Sequence, residues 1–259
     1  MKEKPIVSVV TVCYNAEKTI SNTFNSILKQ EGFKSFDLII VDGKSTDATN
    51  DIIKSYLDFF QEKNISVTYI SEKDSGVYDA MNKAVSLAHG DWLIFMNADD
   101  CFADAFVLHD IFGNCVDLSV DVIYGDTICK REEKEKILKA KNVKRLKVFK
   151  PFVHQSCFVK REVQKRFPFD SNYKISADYD FFLKIFLKNY RFKYVNRTIS
   201  IFSESGMSCN EVNKKLIRKE ESKIAKNYGI NFLNTPSLVW YRYVKTFLRA
   251  TKKFILRNK

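Results

Sequence analysis

The sequence predicts an α/β protein with a mostly parallel sheet, helices on both of its faces, and a C-terminal helical extension. Two observations carry that reading. Over the first hundred residues, short β-branched apolar runs alternate with segments of helical spacing, the pattern of strand–helix–strand crossovers. Polar residues also gather just after those runs, where open parallel sheets hold ligands.

The elements follow in order. Ile6–Cys13 is apolar and β-branched, as a strand buried on both faces is. Glu17–Gln30 has helical spacing, with Ile20, Phe24, Ile27 and Leu28 on one face. Phe36–Val41 is a second strand. The turn Asp42-Gly43-Lys44-Ser45-Thr46-Asp47 leads from it into a helix starting near Thr46. Val67–Ile70 is a third strand, Val77–Ala88 a helix and Trp92–Met96 a fourth strand. Beyond residue 100, Val120–Gly125 and Thr127–Lys130 flank an expected bend. Arg131–Lys150 is charge-rich and poorly periodic, and reads as a surface excursion. Ala177–Leu187 and Asn210–Tyr228 are expected helices, and Pro236 opens a last one.

Composition narrows the function classes. The 259 residues are 45% apolar, enough for one core and an extension. Six cysteines form no C-x-x-C pair, so neither a zinc ribbon nor a redox motif is supported, and reduced thiols in a cytoplasmic protein are expected. No run is long enough to cross a bilayer. The net charge of +12 suggests an anionic partner. Nucleic acid fits poorly, because acidic motifs at strand ends would repel its phosphates.

Those strand ends hold the candidate site. Thr11, Tyr14 and Asn15 follow strand one, Asp42 and Ser45 strand two, Asp74 strand three, and Asn97, Asp99 and Asp100 strand four. Carboxylates at a nucleotide-sized cleft accept from a base or ribose, or hold a cation facing a diphosphate. Asp99 and Asp100 repel each other, which a divalent cation would relieve; a solvated loop capping the next helix is the alternative.

Four motifs in order resemble glycosyltransferase family 2, of GT-A fold. They are Val9-Val10-Thr11-Val12-Cys13-Tyr14-Asn15-Ala16-Glu17, Ile40-Val41-Asp42-Gly43-Lys44-Ser45-Thr46-Asp47, Ser71 through Lys83, and His89-Gly90-Asp91 through Asp100. The resemblance covers about residues 5–205. It implies a nucleotide-binding half over 1–100 and an acceptor half over 101–235. It implies an inverting transfer of a sugar from a nucleotide-sugar, UDP-type by expectation, to a hydroxyl of a glycan or polyprenyl-linked acceptor in surface polysaccharide synthesis.

Matched positions take roles accordingly. Thr11, Tyr14, Glu17, Asp42, Ser45, Asp74, Asn97 and Ala98 would bind the nucleotide. Asp99, the last carboxylate of the family's D-x-D motif, would hold Mn²⁺ or Mg²⁺. Asn97 replaces the first Asp of that motif and adds no charge. Asp178 matches the catalytic base, with Ala177 where the family has Glu. These two departures favour the alternative of a nucleotide-sugar-binding protein with impaired catalysis. Tyr78, Asp79, Asn82, Asp100, His154, Gln155, Gly206 and Ser208 are candidate donor or acceptor contacts. His154 would touch the metal or diphosphate, meet the acceptor, or be a satisfied half-buried histidine. Asp79 and Asp178 also suit helix N-termini for electrostatic reasons alone.

The tail, 236–259, sets Arg242, Lys245, Arg249, Lys252, Lys253 and Arg257 on one side of a helix. Trp240, Tyr241, Val244, Phe247, Leu248, Phe254 and Ile255 fall on the other. Such a helix suits the anionic inner face of a membrane, or docks on the core with its basic face in water.

Overall fold

The computed structural model describes residues 4–113, 119–131, 134–203 and 211–230. The expected tail helix, its membrane role, and Gly206 and Ser208 lie outside the described residues.

The first half is built as expected. Strands β1 (Val7–Cys13), β2 (Phe36–Asp42), β3 (Ser66–Ser71) and β4 (Trp92–Phe95) pair in parallel in the order β3-β2-β1-β4. β1 and β2 are buried along their whole length. Their side chains alternate between two cores, because successive residues of a strand face opposite ways. Val10, Val12, Ile39 and Val41 enter one core, while Val7, Val9, Leu38 and Ile40 enter the other. Helix α3 (Val77–Leu87) covers the first face through Met81, Ala84 and Val85. Helices α1 (Ile20–Leu28) and α2 (Thr49–Glu62) cover the second through Ile20, Phe24, Ile27, Ile53 and Phe60. Both helices start three residues later than the sequence suggests, because residues 14–19 and 45–49 bond to each other across the two loops.

The second half mixes strand directions. It comprises β5 (Cys101–Phe102), α4 (Val107–Phe112), β6 (Val122–Arg131), β7 (Lys134–Leu138), β8 (Cys157–Lys160), α5 (Arg161–Arg166), α6 (Ala177–Leu187), β9 (Phe192–Ser203) and α7 (Glu211–Asn227). β8 pairs antiparallel with β4 and carries the sheet into β6, β9 and β5. Where a bend was expected, residues 122–131 form one strand, with a register irregularity against β9 around Asp126. A side chain on Gly125 would collide there with the Arg197 carbonyl, so the irregularity requires a glycine.

The surface excursion expected over 131–150 is exposed over most of its described residues but is not irregular. It holds β7 and a 3-10 turn, Val143–Lys147, whose Leu146 is fully buried and accepts from the Tyr179 hydroxyl at 2.8 Å. The segment therefore packs on α6 and delivers Lys150 to the site. Among the described residues, no helix is long and apolar enough to cross a membrane.

Candidate active site

A cleft of about 690 Å³ opens beyond the carboxyl ends of β1 and β4. It is lined by residues 14–19, Asn97–Asp100, Tyr78 and Met81 of α3, His154, Gln155, Lys174 and Ile175. That volume suits a small organic ligand. Its first wall is rigid. Asn15 sits in the left-handed region at φ 49°. Its N–H donates to Ser45 Oγ at 2.8 Å and its Oδ1 accepts from the Thr46 N–H at 2.9 Å. Ala16 N–H donates to Thr49 Oγ1, and Ala48 N–H to Glu17 Oε2. The Tyr14 ring stays 62% exposed at the mouth, free to stack on a flat partner.

The floor is the acidic step. Asp99 is half-buried and Asp100 fully buried. Burial raises the Asp99 carboxyl, and burial with repulsion from Asp99 raises that of Asp100 well above its usual range. Gln155 Nε2 donates to Asp100 Oδ2 at 2.9 Å, while Asp100 Oδ1 and Asn97 Oδ1 are buried without a side-chain partner among the described residues. Among the described residues no three His, Cys, Asp or Glu side chains gather to hold a metal. The adjacent carboxylates, with an oxygen left over, nonetheless suit a hard cation that keeps its other ligands from solvent or substrate.

Behind the opposite wall lies Asp178, near the start of α6 and 1% exposed. Lys150 Nζ donates to its Oδ2 at 2.6 Å, and His154 Nδ1 lies 3.2 Å from the same oxygen. The Tyr179 N–H donates to Oδ1 at 2.9 Å, and the Tyr78 hydroxyl, which donates to the Ile175 carbonyl at 2.6 Å, lies 3.3 Å from the same oxygen. Burial alone would raise this carboxyl, but the Lys150 charge and the bonds from His154 and Lys150 outweigh it and hold it far below its usual range. The loop before α6 is tied down from α7, where the Glu220 carboxylate accepts from the N–H groups of Lys174, Ile175 and Ser176 at 2.8–3.1 Å.

A family model for glycosyl transferase family 2 matches residues 8–196. The chain belongs to glycosyl transferase family 2. It is 30% identical over 219 residues to a PGL/p-HBAD biosynthesis glycosyltransferase of Mycobacterium bovis, covering 83% of this chain and 84% of that one. Its fold is similar to that of Staphylococcus aureus TarS 1–349, solved in complex with UDP-GlcNAc, with a TM-score of 0.66 and 21% identity over 88% of this chain and 71% of that one. It is also similar to the mannosyltransferase PcManGT of Pyrobaculum calidifontis, solved with GDP-Man and Mn²⁺, with a TM-score of 0.59 and 19% identity over 78% and 57% of the two chains.

In this glycosyltransferase, Tyr14, Glu17, Asn97, Ala98, Asp99, Asp100, Tyr78, His154 and Gln155 all reach the cleft as expected. Other expected residues are placed elsewhere. Thr11 is fully buried under the floor, its hydroxyl donating to the Met96 carbonyl at 2.8 Å. Asp42 is buried too, accepting from the Ser45 N–H, the Ser45 hydroxyl and the Ser71 hydroxyl, so Asp42 and Ser45 brace the β2 turn. Asp74 closes its own turn by accepting from the Gly76 N–H at 2.9 Å. Gly43 leaves room for that carboxylate beside Tyr14 at the cleft mouth. Asp79 accepts from the Ser75 N–H and pairs with Lys83 at the start of α3. Asn82 is structural, exchanging two bonds of 2.9 Å with the Phe169 backbone. Asp178 stands behind the wall rather than on it. Sequence reasoning missed Lys150, Lys174 and Glu220. A lysine in a lysine-rich run and a glutamate on a polar helix carry no local signal of what they meet in the fold.

Proposed function

We propose that this chain is an inverting hexosyltransferase. It moves a sugar from a UDP-sugar to a hydroxyl of a glycan or lipid-linked acceptor in bacterial surface polysaccharide synthesis. The observation that carries this reading is one cleft with an open aromatic at its mouth, paired carboxylates on its floor and a histidine–aspartate pair at its far wall. The likeness in fold to proteins solved with UDP-GlcNAc and GDP-Man supports a nucleotide-sugar donor, with GDP and dTDP sugars as alternatives. The intact Asp178 centre argues against impaired catalysis, although Asn97 and Ala177 depart from the family pattern.

Tyr14 would stack on the base, and Lys18 and Lys174, both on the cleft lining, would face phosphate charge. Asp99, with Asp100 beside it, would hold a Mn²⁺ or Mg²⁺ ion, whose chemistry is to neutralise the departing diphosphate. The acceptor hydroxyl attacks the anomeric carbon from the His154 side, and a single displacement inverts that carbon.

Binding of a nucleoside diphosphate to the folded state raises its melting temperature. UDP with Mn²⁺ is therefore expected to shift the melting temperature upward in a thermal scan, more than either alone. No shift with UDP, GDP or dTDP at millimolar concentration would refute the nucleotide site.

A further inference from the structure

We propose that residues 135–147 form a docking surface for an anionic lipid bilayer. The inference goes beyond the transfer reaction and does not depend on it.

Three observations carry it. First, β7 is exposed along its length. Residues 135–139 all face solvent, among them Ile137 at 53% and Leu138 at 38%. Neighbouring residues of a strand point opposite ways, so one aliphatic side chain meets water on each face of β7. Second, the segment is basic. Positions 134–150 hold eight Lys or Arg and one acid, Glu135, whose carboxylate already lies 3.8 Å from Lys130 Nζ. Lys136, Lys141, Lys144, Arg145 and Lys147 are exposed, and none of them has a carboxylate within ion-pair distance among the described residues. Third, the charges sit on a fixed frame. The Lys141 N–H donates to the Pro151 carbonyl at 2.9 Å, and the fully buried Leu146 pins the 3-10 turn. The Lys141 and Arg145 cations lie 5.6 and 5.7 Å from the centre of the Phe149 ring, which gathers them without neutralising them.

Lipid fits this surface better than another polyanion does. Nucleic-acid phosphates would satisfy the lysines but leave Ile137 and Leu138 in water. A bilayer interface takes both. Headgroup phosphates meet the cations, and the aliphatic side chains enter the boundary beneath. Tyr194 adds an aromatic beside the ribbon. It is 42% exposed, and its hydroxyl and Lys139 Nζ both donate to Asp126, at 3.1 and 2.7 Å. A ring with a polar tip suits the headgroup level. Lys147 is three residues from Lys150, so at most about 11 Å of chain separates the basic turn from the Asp178 centre. Docking here would bring a lipid-linked acceptor close to that centre.

The test is co-sedimentation of the full chain, without donor, with vesicles of phosphatidylcholine alone or with about one third phosphatidylglycerol. The mixed vesicles are expected to bind at least about tenfold more tightly, and raising salt from about 0.1 to about 0.5 M to weaken that binding. Each basic residue near anionic lipid contributes a factor of about five. Changing Lys141, Lys144, Arg145 and Lys147 together to Gln is therefore expected to weaken binding at least about tenfold. Ile137→Ser with Leu138→Ser is expected to weaken it at least about threefold, and to do so at high salt too, because apolar burial is not screened. A thermal scan checks the fold of each variant. Lys144→Glu, a single exposed position, is expected to show the same direction of loss if the fourfold variant unfolds. The basic stretch 236–259 is kept throughout. Binding unchanged in the charge variants would overturn the proposal and assign the contact to that stretch. Absence of binding to the mixed vesicles, or a concentration-dependent dimer that Ile137→Ser with Leu138→Ser dissolves, would overturn it as well. Failure of the glycosyltransferase reading is distinct, because no donor enters this measurement.

Discussion

Asp178 is a buried anion, and its neighbours are what make it tolerable. Lys150→Met would leave the carboxylate without its main counter-charge. Breaking a buried pair costs ~3–5 kcal/mol. The lower end applies here, because the Lys150 side chain keeps 31% of its surface exposed. At ~2–4 °C per kcal/mol for a domain of this size, calorimetry is expected to read a melting temperature lower by on the order of 10 °C. An unchanged value would mean that solvent already screens the pair. The pH dependence follows from the direction of the shift. The folded carboxyl sits below its unfolded value of ~3.9, so its contribution to stability is full above that value and is lost as pH falls below it. Lys150→Met is expected to flatten that acid limb. At this scale the sequence marked Asp178 and His154 but not that they meet. Thr11 and Asn82 read as site residues because polar side chains at strand ends and helix starts serve fold and site alike. Lys150 read as solvated because its surroundings in the chain are basic.

Among the elements, β1, β2 and β4 were legible because burial on both faces leaves unbroken apolar runs. The starts of α1 and α2 were not, since the bonds that delay them join two loops some thirty residues apart. β7, Lys-Glu-Lys-Ile-Leu, reads as polar surface and becomes a strand only through its pairing with β6. The contact between α7 and the loop before α6 is the clearest case of an element whose role its own pattern hides. Glu220 satisfies three successive N–H groups, each of which costs ~1–3 kcal/mol if buried and unpaired. Water reaches part of that loop, so Glu220→Ala is expected to cost about 2–3 kcal/mol in denaturant unfolding. A midpoint matching the wild type would show that water replaces the carboxylate at no loss.

Across the whole molecule, the parallel half and the helices Ala177–Leu187 and Glu211–Asn227 were legible, and the strand pairing of the mixed half was not. Strand–helix alternation is written locally, whereas the antiparallel pairing of β4 with β8 joins segments with more than sixty residues between them. The same long reach separates the site's parts. The cleft floor ends at Asp100, while the carboxylate that ties the loop before Asp178 arrives 44–46 residues after that loop. A ribosome adding ~5–20 residues per second makes the loop several seconds before its anchor. During that interval the growing chain carries its acidic floor and His154 without the clasp that ties the loop before Asp178. Chains stalled during translation are expected to release UDP from a donor only once Glu220 has left the exit tunnel, and earlier release would mean that the loop sets itself. The loop before Asp178 thus gains its anchor only after the cleft floor and the loop itself have been made.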